Sequence, residues 1–440
     1  MLRNSHFMTL AACFAAVACW QAAHSSAPQK EEDAELYRLF VDAVEHVDRS
    51  YVQKVDRKAL VHNAIRGMLE QLDPYSDFIA QEARPAFEKT TTGHFGGVGI
   101  QVDVRNGEVY VISPMVGTPA YEAGVLAGDK ILKVDDQAIE RIVSDDIVQK
   151  ISGPAGTTVK LTVLHAPYNG RPVDLKLTRQ VINIETVRGW MRNSDDSWNY
   201  LVDPQKKIAY VRVGGFSGTT EADLEKALRA LVKSGDLKGL VLDLRTNPGG
   251  LLPAAVKICD LFIREGKLVS TKGRGQTSER VFNAKDADTL PEFPMAILVN
   301  RFSASASEIV SACLQDHNRA IVVGERTWGK GSVQNVIDLE DGKSAIKLTV
   351  ASYNRPNGHN IHRFKGMSEK EEWGVKPNDG YDIRMTPEES NKLFLWRASK
   401  DVAAGKRPPD SQLPASVKST GDVPDKQLDK ALEYVRSKLK

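Results

Sequence analysis

Ser303, Ser305 and Ser307 alternate with alanines just after an apolar run. Lys330 follows in the glycine-rich stretch Thr327-Trp328-Gly329-Lys330-Gly331-Ser332. A serine hydroxyl becomes an effective nucleophile when a base takes its proton, and a neutral lysine amine is one such base. Met295–Val299 reads as a short buried parallel strand. Ala306, Ile309, Val310, Cys313 and Leu314 recur at helical spacing, and Ile321-Val322-Val323 reads as a second buried strand. In a right-handed βαβ unit both strands run the same way. Ser305 at the helix start and Lys330, 25 residues further on, then share the sheet edge where open α/β sheets bind ligands. The same residues have other readings. Ser305-x-x-Glu308 is a capping-box pattern, and a lysine between glycines is commonly a solvated surface residue. Gly324-x4-Gly329-Lys330 is most of a phosphate-binding loop. Gly331, however, stands where the Mg2+-binding Ser/Thr belongs, and residues 333–337 read as strand rather than helix.

The run Val299-Asn300-x-x-Ser303-Ala304-Ser305-Ala306-Ser307-Glu308, followed by Gly324-Glu325-x-Thr327-x-Gly329-Lys330-Gly331-x-Val333-Gln334, resembles the carboxyl-terminal processing peptidases, or tail-specific proteases. The resemblance extends over roughly residues 35 to 390. It implies a Ser/Lys-dyad serine endopeptidase with Ser305 as nucleophile, Lys330 as base and Gln334 orienting the lysine. It also implies an oxyanion hole made by the N–H of Ala306 and that of Gly249 or Gly250, in the turn Arg245-Thr246-Asn247-Pro248-Gly249-Gly250. The chain departs from the family pattern in a charged insertion, residues 363–372, before Trp373-Gly374-Val375-Lys376-Pro377.

At 440 residues there is room for two or three domains with proper cores. Lys+Arg 59 against Asp+Glu 57 is nearly balanced, and no basic tract is interleaved with aromatics, so nucleic acid is not an expected partner. Arg3 precedes an Ala-rich apolar stretch over residues 7–23, which reads as a signal peptide cleaved within residues 22–27. An uncleaved anchor is the alternative. The expected location is extracytoplasmic or periplasmic. Of four cysteines, Cys259 and Cys313 lie outside this segment, each among apolar residues on a predicted helix. Buried free thiols are expected there, and neither suggests a metal site. No cofactor is expected.

The order of elements predicts a multidomain α/β chain. A signal peptide over 1–27 precedes a helical region, 28–92, whose stripe of Leu36, Leu39, Phe40, Ala43, Val44 and Val47 is expected to be core. Residues 93–182 resemble a PDZ domain. The loop Gly96-Gly97-Val98-Gly99 would turn backbone N–H groups toward a terminal carboxylate, and a helix near 146–152 would line the groove. The peptidase core, 183–395, is a set of βαβ units in the layered style of crotonase and ClpP. Residues 271–289 are polar and read as a long loop. Residues 404–424 read as a linker within the final 396–440 segment, which closes on an amphipathic helix. Relatives imply that Arg179, at the PDZ–core junction, senses ligand.

Lys330 must be neutral to act, and an ordinary lysine is charged below pH ~10. Apolar burial lowers that pKa, with Trp328 the expected neighbour. A histidine-based triad could draw on His317, His359 or His362, but no Gly-x-Ser-x-Gly elbow surrounds the serines. Expected partners are proteins or peptides with free C-termini, a second copy of the chain, and an adaptor or activator protein. The rival function is a catalytically silent PDZ scaffold that binds tails.

Overall fold

The computed structural model describes residues 27–105, 107–139, 144–274, 279–403, 406 and 423–439. All of the signal segment and of the 22–27 cleavage range except residue 27, and nearly all of the 404–424 linker, lie outside them. The chain forms two compact units. One takes the chain up to Gln81 together with Val336–Leu348; the other takes Glu82–Asn335 and Thr349–Lys440.

The first unit holds helices α1 (Ala27–Ser50) and α2 (Arg57–Glu70). Asp56 caps α2 by accepting from the N–H of Lys58 and Ala59. Downstream of α2, Asp73 takes the N–H groups of Tyr75 and Ser76. Strand β1 (Asp77–Ile79) then pairs antiparallel with residues 345–347. The α1 stripe is not core. Leu36, Leu39 and Phe40 are exposed and Val44 is buried, because a second helix and one short strand offer too little surface to cover 24 residues.

The second unit opens with α3 (Arg84–Thr92) and β2 (His94–Gly97). A compact β-rich body follows: β3 (Ile100–Arg105), β4 (Glu108–Pro114), α4 (Pro119–Glu122), β5 (Lys130–Val134), β6 (Gln137–Ala138), α5 (Ser144–Ile151), β7 (Thr158–Leu164) and β8 (Val173–Thr178). The strand order is β3-β4-β5-β7-β8, with β6 beside β5. Val109, Val111, Ile131, Ile147, Val159 and Leu161 form its core. β3 stands at one end of that order, the position from which a sheet accepts a further strand. β9 (Gln180–Asn183) pairs back onto β2.

The larger body contains β10 (Val187–Arg188), the hairpin β11 (Met191–Arg192) and β12 (Trp198–Asn199), β13 (Leu201–Asp203), β14 (Ile208–Val213), α6 (Thr220–Ser234), β15 (Gly239–Asp243) and α7 (Leu252–Asp260). It continues through β16 (Lys267–Gly273), β17 (Arg280–Asn283), β18 (Met295–Val299), α8 (Ala306–Asp316), β19 (Ile321–Gly324), β20 (Ser332–Leu339) and β21 (Ser344–Asn354). The main sheet runs β10-β14-β15-β18-β19, its last four strands parallel. Alternation decides the layers. Val211, Leu242 and Ile297 face α6, α7 and α8, whereas Tyr210, Val241 and Leu298 face the final helix. α9 (Pro387–Asp401) precedes that helix, α10 (Lys426–Lys438), which buries Leu428, Ala431, Leu432 and Val435 against the sheet.

The polar stretch 271–289 is not one long loop. β16 and β17 pair antiparallel there, and residues 351–354 of β21 pair with β16 on its other side. β16 covers Leu268, Val269, Ser270 and Thr271 in succession, so no apolar alternation marks it.

Candidate active site

Ser305 sits in the turn between β18 and α8 with φ 57° and ψ −115°, a backbone region that glycine favours. The neighbouring hydroxyls are spent on structure. Ser303 Oγ donates to the Leu244 carbonyl at 2.8 Å and Ser307 Oγ to the Asn247 carbonyl at 2.9 Å, both serines fully buried. Ser305 is the partly exposed one of the three.

The turn after β15 is locked onto this serine by Asn247, itself fully buried. Its carbonyl accepts from Ala304 N–H at 3.0 Å, its amide nitrogen donates to the Val213 carbonyl at 2.7 Å, and its Oδ1 accepts from Gly249 N–H at 2.8 Å. Gly249, at φ 99°, lies so close that a Cβ there would stand 2.7 Å from Ser305 Cβ and 2.9 Å from Ala306 N. Gly250, at φ 146°, bridges in parallel to Phe216. The three residues singled out for an oxyanion hole, Ala306, Gly249 and Gly250, thus meet at one turn, with the N–H of Gly249 already engaged.

Glu308 joins the serine turn to the lysine loop. Its Oε2 accepts from Ser305 N–H and Lys330 N–H, both at 2.8 Å. Two such bonds to one oxygen hold the two backbone nitrogens within about 6 Å of each other. Its Oε1 accepts from Thr327 Oγ1 and Gly329 N–H, both at 2.6 Å. The carboxyl is fully buried, and that burial pushes its pKa up to about 6; the four hydrogen bonds offset the shift only in part. The sequence marks this residue as half of a capping box. It gives no sign that the same carboxylate reaches a loop some twenty residues later, and Asn247 likewise reads only as part of a turn.

Trp328 is 51% exposed, and its backbone N–H donates to the Ser303 carbonyl. Tyr353, 2% exposed, lies under the loop and donates its hydroxyl to the Lys330 carbonyl. Gln334 on β20 donates its amide nitrogen to Ser332 Oγ at 2.9 Å and Thr349 Oγ1 at 3.1 Å. The histidines are engaged elsewhere. His317 meets the Lys267 carbonyl, His359 meets Glu372, and His362 Nδ1 faces Gly331 N–H. Cys259 and Cys313 are buried free thiols. Among the described residues no cluster of three metal-ligating side chains occurs, and no described helix is long and apolar enough to cross a membrane.

In the smaller body, Gly96 and Gly97 belong to β2 and pair with Val181 and Gln180, while Val98 and Gly99 make the turn into β3. Val98 is buried, and Gly99, at φ 77°, packs against Thr118. Arg179 is buried rather than on the surface. Its guanidinium donates to the carbonyls of Lys150 and Ile151, the last residues of α5, and to Thr157 Oγ1 and the Thr158 carbonyl. A cation at these carbonyls completes the helix end and complements its dipole.

Comparison with known proteins agrees with this architecture. Residues 207–378 match Peptidase family S41, residues 96–178 a PDZ domain, and residues 8–83 the activating protease CtpB N-terminal domain. A carboxy-terminal-processing protease of Bartonella bacilliformis is 37% identical over 380 residues, spanning 83% of this chain and 82% of the relative. The carboxy-terminal processing protease CtpA of Bacillus subtilis is 36% identical over 326 residues, spanning 74% and 66%. The solved photosystem II D1 C-terminal processing protease aligns at 30% identity over 86% of this chain and 98% of its own, with a TM-score of 0.43. Fold and site define a serine-type peptidase with a PDZ domain. The chain belongs to the carboxy-terminal processing protease family.

Proposed function

We propose that the chain is an exported endopeptidase that takes hold of substrate tails through its PDZ domain and cuts with a Ser305/Lys330 dyad. The observation that carries this is Glu308, whose one oxygen accepts from the backbone N–H of both residues. Ser305 Oγ attacks the scissile carbonyl carbon while Lys330 Nζ takes its proton. The carbonyl oxygen becomes an oxyanion facing Ala306 N–H, at the start of α8, where the helix dipole favours negative charge. The second donor is Gly250, because Gly249 N–H is committed to Asn247. Collapse expels the amine, which leaves with the proton from Lys330, and water then hydrolyses the acyl-serine. Gln334 fits the orienting role through its amide oxygen, since its amide nitrogen is held by Ser332 and Thr349.

Tail capture is supported by the PDZ match and by β3 at the end of its sheet. Export rests on the apolar N-terminal stretch over residues 7–23. A second copy or an activator protein would engage the helical region; the match of residues 8–83 to an activating protease's N-terminal domain supports that. Arg179 would couple a bound tail to the core through the end of α5. Casein incubated with the wild type and with Ser305→Ala tests the chemistry: products with the first and none with the second are expected. Equal cleavage by both would remove Ser305. Lys330→Arg should not turn over, because a guanidinium stays charged. Peptides with an apolar free C-terminus should be cut faster than the same chains ending in Asp-Asp or an amide. No difference between them would remove the tail-selecting role.

A further inference from the structure

Both residues flanking Lys330 are held by one passing segment. The Gly329 carbonyl accepts from Arg363 N–H at 2.8 Å, and Gly331 N–H donates to His362 Nδ1 at 3.3 Å. The fit is close: a Cβ on Gly331 would stand 2.4 Å from His362 N. On the other side, the Gly331 carbonyl accepts from Tyr353 N–H at 3.0 Å. The segment is itself anchored. Ile361 is fully buried, and its carbonyl accepts from Gly374 N–H at 2.7 Å. His362 N–H donates to Asn360 Oδ1 at 2.7 Å, and its ring meets Phe364 edge-on at 4.7 Å. Further along, the Trp373 ring lies between the guanidinium groups of Arg326, at 3.4 Å, and Arg363, at 4.2 Å.

Within the passing segment His362 holds the lysine loop by its side chain, whereas Arg363 holds it by its backbone N–H. We propose that His362 is a positioning residue for Lys330, acting as a neutral imidazole whose unprotonated Nδ1 holds the Gly331 amide. This rests on the Ser305/Lys330 reading. A backbone N–H can only donate, so Nδ1 must offer its lone pair, and the ring proton sits on Nε2. Without that acceptor, a partly buried donor next to Lys330 is left unpaired. The lysine then loses the backbone setting that aims it at Ser305, where small misplacements lower the rate of chemistry more than binding.

The test is steady-state cleavage of one peptide by His362→Leu, His362→Asn and His362→Gln, with thermal unfolding of each. Asn places an amide oxygen where Nδ1 stands; Gln places it one methylene further out. We expect kcat about tenfold lower for the Leu variant, a change of the size one lost hydrogen bond gives. KM should stay within about twofold, the size expected when ground-state binding is untouched. The Asn variant should recover most of kcat and the Gln variant should not. Should the Leu variant fail to fold, the Asn/Gln contrast decides the matter. Wild-type kcat in the Leu variant, or equal impairment of Asn and Gln, overturns the proposal. Lys330→Ala separates the two claims. If it turns over normally, the dyad falls and the positioning role falls with it. If it is inactive while His362→Leu is normal, only the positioning role falls.

Discussion

At the scale of single residues, Glu308 sets a pH limit. Above pH about 6 its carboxylate accepts from all four donors. Below that, one oxygen carries a proton and one donor loses its acceptor, so the turn and the loop no longer share a carboxylate. Peptidase activity should therefore show an acid-side step near pH 6, beyond the loss that protonation of Lys330 brings, and Glu308→Gln should lack that step while being slow at every pH. The effect on stability has the opposite sign. A carboxyl whose folded pKa is raised from 4.5 to about 6 contributes stability at low pH that is lost as pH rises through 6. Acid thus removes activity here without unfolding through this group. Ser305 gives a second prediction. Its backbone, at φ 57°, is a glycine conformation, costing a side-chain-bearing residue about 1–3 kcal/mol. Ser305→Gly should be inactive yet melt higher than the wild type. Ser303→Ala and Ser307→Ala should keep most of kcat and lose about 1 kcal/mol of stability, because each removes one of the two hydrogen bonds that a buried carbonyl accepts.

At the scale of elements, two joints carry the site. Gly249→Ala brings a methyl group to within 2.7 Å of Ser305 Cβ and forces φ 99° on alanine; it should abolish turnover while circular dichroism stays that of the wild type. Arg179→Ala strips the end of α5 of its cation and should weaken tail-peptide binding, measured by calorimetry, before it alters cleavage of a tailless peptide. How much of this was legible in the sequence follows from distance along the chain. The βαβ unit was readable because its strands are continuous apolar runs and its helix keeps a 3.6-residue period. The convergence of Ser305 and Lys330 on one edge followed from handedness alone. Glu308, Asn247 and His362 were not readable as joints: each bonds a partner tens of residues away, and nothing in the local pattern of a Glu, an Asn or a His names that partner. β16 and β17 were missed because the apolar residues of β16 lie upstream of the polar stretch and those of β17, Val281 and Phe282, are adjacent rather than alternating.

At the scale of the whole molecule, a buried ion cluster beneath the sheet secures the last helix. Arg245 donates to Asp243 at 2.6 Å and to Asp425 at 2.8 Å, and Arg397 donates to Asp425 at 2.8 Å and to Tyr210. Burial alone would raise the Asp425 pKa, but Arg245 and then Arg397 outweigh it and hold the carboxyl well below its usual value of 3.8. Its contribution to stability is therefore full above pH 3.8 and is lost as pH falls below it. Together with Glu308, this predicts a window between about pH 4 and 6 in which the protein stays folded but its activity falls, visible as intact tryptophan fluorescence with declining peptide cleavage. Asp425→Ala leaves Arg245 and Arg397 buried without their shared partner and should cost about 3–5 kcal/mol, read from urea unfolding.

The position of α10 has a consequence for how the protein comes into being. The sheet whose strand β18 leads to Ser305 is covered on one face by α10, and the arginine leading into the Asn247 turn is matched by an aspartate that opens that helix. On the ribosome these residues arrive after the strands of the sheet. Until they do, the sheet lacks one wall and Arg245 has Asp243 but not Asp425 as a counter-ion, so the growing chain holds Ser305 and Lys330 without a finished frame around them.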